Sequence, residues 1–118
     1  CQAEVGSACS MAASAYAALT TSNFDHIECA AEIAIEHSLG LTCDPIDGYV
    51  QIPCIERNAI AALRALTCSR LSHILSQSRK ISFDMIVQTM YQTGLDMHPK
   101  YKETSEAGMA YFYMSKDK

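Results

Sequence analysis

Charge is scarce in this 118-residue sequence: Asp, Glu, Lys and Arg together make up 19% of it. A soluble domain usually carries about a quarter, so part of the surface is expected to lie against other protein. The basic residues are few and dispersed. Nine Lys and Arg stand against thirteen Asp and Glu, and the densest positive stretch, Lys100, Lys102, Lys116 and Lys118, is interleaved with acids. That distribution lacks the electrostatic footprint of a nucleic-acid-binding domain. No apolar run suits a bilayer. The most apolar one, Ala3 to Leu19, carries Glu4 and is built from Ala, Ser and Gly, too short and too small-sided to span a membrane. A secretory leader, internal repeats, low-complexity tracts and linkers are also missing. The sequence opens on Cys1 in place of Met. It reads as one ordinary domain, or a piece of one, cut from a longer cytoplasmic chain. Finally there is no CxxC pair, the spacing by which zinc ribbons and ferredoxins are recognised at sight.

What is present is a 49% apolar composition, enough for a core, and six cysteines at 1, 9, 29, 43, 54 and 68. In a small secreted domain six cysteines suggest a disulfide framework, a device of loop-rich scaffolds. The helical periodicity here points the other way, to reduced thiols, some packed and others binding metal.

Periodicity favours helices throughout, and predicts an all-α, compact helical domain of four main helices with an irregular cysteine-bearing loop and a short C-terminal tail. The first helix covers Ala3 to Leu19. The second opens with Asp25 as N-cap and Glu28 three residues on, runs to His37 or Ser38 and stops at Gly40, a residue suited to a left-handed helix end. From Leu41 to Cys54 the turn signals Asp44-Pro45 and Asp47-Gly48, with Pro53, bar a helix. A loop of that length in a small domain usually has a function. The third helix runs from Ile55 or Glu56 to about Ser76, with Ile60, Leu63, Leu71, Ile74 and Leu75 as most of its apolar face. The fourth has Ser82 as N-cap, Ile81 and Ile86 as a hydrophobic staple and Gly94 as its stop. Met109 to Met114 is expected to be a short strand or an extended tail.

The cysteines divide into two sets. Cys9, Cys29 and Cys68 fall inside predicted helices amid Ala, Ile and Leu, where thiols behave as small hydrophobes. Cys1 and Cys54 precede helices, and Cys43 begins the irregular loop. Free N–H groups and the positive end of a helix favour a nearby thiolate, and soft thiolates select zinc or iron–sulfur clusters over hard ions. From the residues alone both remain open, and His37 either completes a zinc site or lies on the surface at a helix end.

Longer motifs narrow the choice. The opening Cys1-Gln2-Ala3-Glu4-Val5-Gly6-Ser7-Ala8-Cys9-Ser10-Met11-Ala12, the stretch Leu39-Gly40-Leu41-Thr42-Cys43-Asp44-Pro45, the run Val50-Gln51-Ile52-Pro53-Cys54-Ile55-Glu56-Arg57-Asn58-Ala59 and the later Lys100-Tyr101-Lys102-Glu103-Thr104-Ser105 together resemble the bacterial iron–sulfur L-serine dehydratases. The chain looks like the C-terminal portion of their catalytic alpha domain. The resemblance implies an all-helical fold and a lyase that eliminates water from L-serine to give pyruvate and ammonia. It implies a 4Fe–4S cluster held by Cys1, Cys43 and Cys54, with the fourth iron position open to act as a Lewis acid on the substrate hydroxyl. It also implies partners: the rest of the alpha domain, a beta domain or subunit, and a second copy in a homodimer. The family's terminal cysteine, which folds back onto the cluster, aligns here at or beside Ser115, where a serine oxygen or water would take its place. Glu56, Arg57 and Asn58 are candidates for substrate contact; otherwise Glu56 satisfies the helix start, Arg57 pairs with an acid and Asn58 braces the loop. Lys102, Glu103, Thr104 and Ser105 fit a role in placing the tail near the site. No residue is marked as the general base. Two alternatives remain: a zinc-stabilised helical module using Cys1, Cys43, Cys54 and His37, and a metal-free helical interaction piece with no activity of its own.

Overall fold

Alanine is the strongest helix former, and the first helix, α1 (Glu4–Thr20), is rich in it. Glu4 in its first turn complements the positive helix end. Val5, Cys9, Ala13 and Ala17 recur every four residues, which places them on one stripe. That stripe meets Cys29, Ala30, Ile33 and Ala34 of α2 (Phe24–Glu36) and Ala61, Ala65 and Cys68 of α3 (Cys54–Leu75) in a single core. Because these side chains are small, the backbones come close. Ser10 Oγ donates to the Ala31 carbonyl at 3.0 Å, and Cys9 Sγ donates to that of Ala61 at 3.3 Å. A Cβ on Gly6 would stand 3.0 Å from Ser38 Cβ. Two further helices, α4 (Phe83–Asp96) and α5 (Gly108–Met114), complete the set. The fourth packs on α2, and the fifth on a tight turn at Ile46–Gly48.

The computed structural model describes residues 1–116, and among them there is no strand, only one isolated bridge between Cys43 and Lys102. No helix among them is long and apolar enough to cross a membrane. The fold is all-α, as the periodicity predicts, and forms a slab of 55 × 26 × 16 Å.

Four local expectations need correction. The cap of α2 is Asn23, whose side-chain oxygen accepts from the Asp25 N–H at 2.9 Å, so the helix starts ahead of the Asp25–Glu28 pair. Gly94 does not stop α4, which continues to Asp96. A Cβ there would lie 3.2 Å from Gln2 Nε2, so the glycine makes room for Gln2, which bonds the Gly40 N–H and the Met90 carbonyl. Met109 to Met114 is neither strand nor extended tail but the greater part of α5. The third helix turns the opposite way from its apolar periodicity: its buried face is Ala61, Ala65, Cys68, Ser69 and Ser72. Ile60, Leu63 and Ile74 are 56%, 63% and 75% exposed. A helix with small residues on one side and large apolar ones on the other is suited to burial all round.

The C-terminal end of α2 is bonded from another helix. Arg64 of α3 donates to the His37 carbonyl at 2.9 Å, placing a cation at the negative helix end. Within α2, Glu32 is only 4% exposed. Burial, reinforced by the Glu36 carboxylate, pushes its carboxyl up to about 7, against the opposing pull of Arg79 and His37. The folded state therefore holds this proton more tightly than the unfolded chain, whose carboxyl titrates near 4.5. Stability from this group is full below the unfolded value and is lost as pH rises through about 7. Glu32→Gln is expected to flatten that decline, raising the melting temperature at about pH 8 by a few degrees and leaving it little changed at about pH 5. A uniform shift at both pH values would mean that Glu32 does not carry the dependence.

Candidate metal centre

The sequence between α2 and α3 reverses at Asp47 and Gly48, with φ of 53° and 76°. Glycine takes the left-handed region without a Cβ penalty, and the reversal brings Cys54 back towards Cys43. Cys54 is the first residue of α3 and is buried. Asn58, one turn on, donates its side-chain N–H to the Cys54 carbonyl at 2.8 Å. Cys43 is held by its backbone: its N–H donates to the Tyr101 carbonyl and its carbonyl accepts from the Glu103 N–H, both at 2.9 Å. Cys1 sits just before α1, its carbonyl accepting from the Val5 N–H at 2.9 Å. Three separate segments thus bring Cys1, Cys43 and Cys54 to the lining of one cavity of about 320 Å³, which Glu4, Gly48 and Glu103 also line.

Among the described residues no three His, Cys, Asp or Glu side chains close on the volume of a single ion. The thiols are arrayed around a space equal to about ten water molecules. Three soft thiols around a cavity of that size, with the carboxylates of Glu4 and Glu103 also on its lining, are a donor set suited to a group larger than a single ion. His37 stands apart at the exposed end of α2, with its ring Nδ1 2.9 Å from the Ile33 carbonyl, and does not line the cavity.

Cys9, Cys29 and Cys68 are buried in the helical core, as expected. Burial pushes all three thiols up, Cys68 to about 11, so they persist as protonated packing groups.

Of the residues after Cys54, Glu56 is exposed in the first turn of α3, and Asn58 braces Cys54 as described. Arg57 reaches inward. Its Nη1 lies 3.1 Å from Cys1 Sγ and 2.7 Å from the Thr42 carbonyl, and its Nη2 lies 3.2 Å from Asp44 Oδ1. That Asp44 oxygen takes no hydrogen bond in strict geometry, so the last contact is one of charge. Ser115 ends α5, exposed, its hydroxyl bonded to the Phe112 carbonyl at 3.0 Å. It lines a different cavity, of about 270 Å³, with Ser105, Tyr111 and Met114.

Asp44 is the residue that sequence reasoning passed over. It is 3% exposed, and its second oxygen accepts the Met109 N–H at 2.9 Å, capping α5 from 65 residues away. The visible signal was an acid between a cysteine and a proline, which turn chemistry explains equally well.

Residues 1–110 match the serine dehydratase alpha chain family, and the chain belongs to that family. It is 54% identical over 110 residues to the L-serine dehydratase of Streptomyces coelicolor, 52% to that of Haemophilus influenzae and 51% to L-serine dehydratase 1 of Escherichia coli. In each case 93% of this chain is matched, and it spans about a quarter, 24%, of the relative's length.

Proposed function

We propose that this chain is the cluster-holding portion of the catalytic alpha domain of an L-serine dehydratase, a lyase converting L-serine to pyruvate and ammonia. The observation that carries the reading is the shared cavity of Cys1, Cys43 and Cys54, in a chain that is 51–54% identical to proteins named for that reaction. Hydroxide is a poor leaving group; a 4Fe–4S cluster held by three thiolates supplies a Lewis-acidic iron position for the substrate hydroxyl. The chain's own part is to hold and orient. Cys1 and Cys54 sit at the starts of α1 and α3, whose positive ends favour ligated thiolates. Cys43 is fixed by its two backbone bonds to Tyr101 and Glu103.

The partners in this reading are L-serine, the remainder of the alpha domain, the beta domain or subunit, and a second copy in a homodimer. The exposed Ile60, Leu63 and Ile74 stripe of α3 is where the remainder of the alpha domain packs, since so much apolar surface is stable only when covered.

Anaerobic reconstitution with ferrous iron and sulfide tests the reading. Iron and acid-labile sulfide are expected in equal amounts, about four of each per chain, with a broad brown absorption. One zinc per chain and no sulfide would support the zinc-stabilised module instead. Pyruvate formation is to be assayed in the full-length protein, where loss of activity on iron chelation and recovery on reconstitution are expected.

A further inference from the structure

We infer that Arg57 is the positioning residue of the cysteine site, joined with Asp44 in a clamp that sets where Cys1 and Cys43 stand relative to the start of α3. The inference rests on the serine dehydratase reading for what the cavity holds, but not for the clamp itself.

Arg57 lies three residues after Cys54 on α3, and residues at that spacing share a helix face. From there its guanidinium reaches three partners on two other segments: Cys1 Sγ at 3.1 Å, the Thr42 carbonyl at 2.7 Å and Asp44 Oδ1 at 3.2 Å. Thr42 and Asp44 flank Cys43, so one side chain grips the backbone before that ligand and the carboxylate after it. Asp44 extends the chain of contacts. Its other oxygen caps α5 at Met109, and Gly108 is pressed against it: a Cβ there would lie 2.9 Å from Oδ2, at a φ of +65°. Ser105 Oγ adds a bond to the Pro45 carbonyl. Four segments that are distant in sequence thus meet at one ion pair.

The chemistry selects arginine. A planar fork can serve a carbonyl, a sulfur and a carboxylate at once, which the point charge of lysine cannot. Nη1 gives its hydrogens to Cys1 and Thr42, and Nη2 is drawn to Asp44 by charge, so this end of the fork is turned to the chain's own groups. Its role is to hold the ligands, and its N–H···S contact places a donor on one of the thiolates, a contact that tunes the electronics of a bound cluster.

The test uses Arg57→Gln, Arg57→Lys and Asp44→Asn. In the metal-free chain, amide hydrogen exchange at Cys43, Glu103 and Met109 is expected to speed up about tenfold or more in every variant, while the amides of α1 to α3 around Ala13, Ala34 and Ala65 keep their protection. The double variant Arg57→Gln with Asp44→Asn is expected to be no worse than the more severe single change, because both break one unit. After reconstitution, iron loss to a chelator is expected to be about tenfold faster in Arg57→Gln and in Arg57→Lys. The absorption and paramagnetic resonance spectra of the loaded Arg57→Gln chain are expected to shift, a change that loss of packing alone would not produce. Unchanged exchange at Cys43 and Met109, or full rescue by lysine, overturns the clamp. If the unaltered chain takes up no iron at all, the serine dehydratase reading fails, while the exchange measurements still decide the role of Arg57. Should Arg57→Gln unfold α1 to α3 as well, Asp44→Asn decides, since it leaves the arginine in place.

Discussion

Serine in place of Cys54 is expected to leave the reconstituted chain with less than about one iron in place of about four. Cys1→Ser and Cys43→Ser are expected to do the same. A hydroxyl is a hard, weakly acidic donor, and a cluster that loses one of three thiolates has too few soft ligands to be retained. The contrast lies in two of the core cysteines. Cys29 and Cys68 are buried in the helical core, and their serine variants are expected to keep the full iron complement while losing about 1–3 kcal/mol of stability from burying a hydroxyl. Iron and sulfide analysis of all five variants, with melting curves for the last two, checks both halves. Equal iron uptake by the unaltered chain and Cys43→Ser would remove the ligand assignment.

A second pair of substitutions separates the two faces of α3. Ala65→Leu is expected to cost about 2–3 kcal/mol, since three extra carbons must enter a seam where the backbones already touch through small side chains. Ala65 is 3% exposed there, against α1 and α2. Leu63→Ser, two residues earlier, is expected to change the stability of this chain by no more than about 0.5 kcal/mol, because Leu63 stands 63% exposed. Urea unfolding midpoints measure both. The reverse order would place the core on the side that large-residue periodicity alone suggests.

That pair also marks where sequence reasoning stops. The helices were legible because each carries its own signal: alanine content in α1, the Ser82 cap and the Ile81–Ile86 pairing at α4, the left-handed Gly40 after α2. The division of the cysteines was legible from their surroundings, and Cys9, Cys29 and Cys68 lie in the core. The facing of α3 was not legible, because Ile60, Leu63 and Ile74 advertise an apolar side without saying what covers it. Nor was α5. Its start is capped by Asp44, and no local residue could announce a contact made across 65 positions. Cys1, Cys43 and Cys54 were nominated by their places at helix starts and loop and by motif. Pairing with an acid was one of the two readings open for Arg57, yet nothing local named Asp44, which read only as a turn residue, as that acid.

The wide sequence separation of the Asp44–Met109 bond has a consequence for biosynthesis. At about 5–20 residues per second, a ribosome needs roughly 3–13 s after polymerising Asp44 before Met109 is added. Once ten more residues have been added after Asp44, Cys1, Cys43 and Cys54 have all been made, while Met109, whose N–H bonds Asp44 in the loop between the latter two, has not. Metal delivery during translation would meet an open, unshaped set of thiols; delivery after release would meet a finished basket.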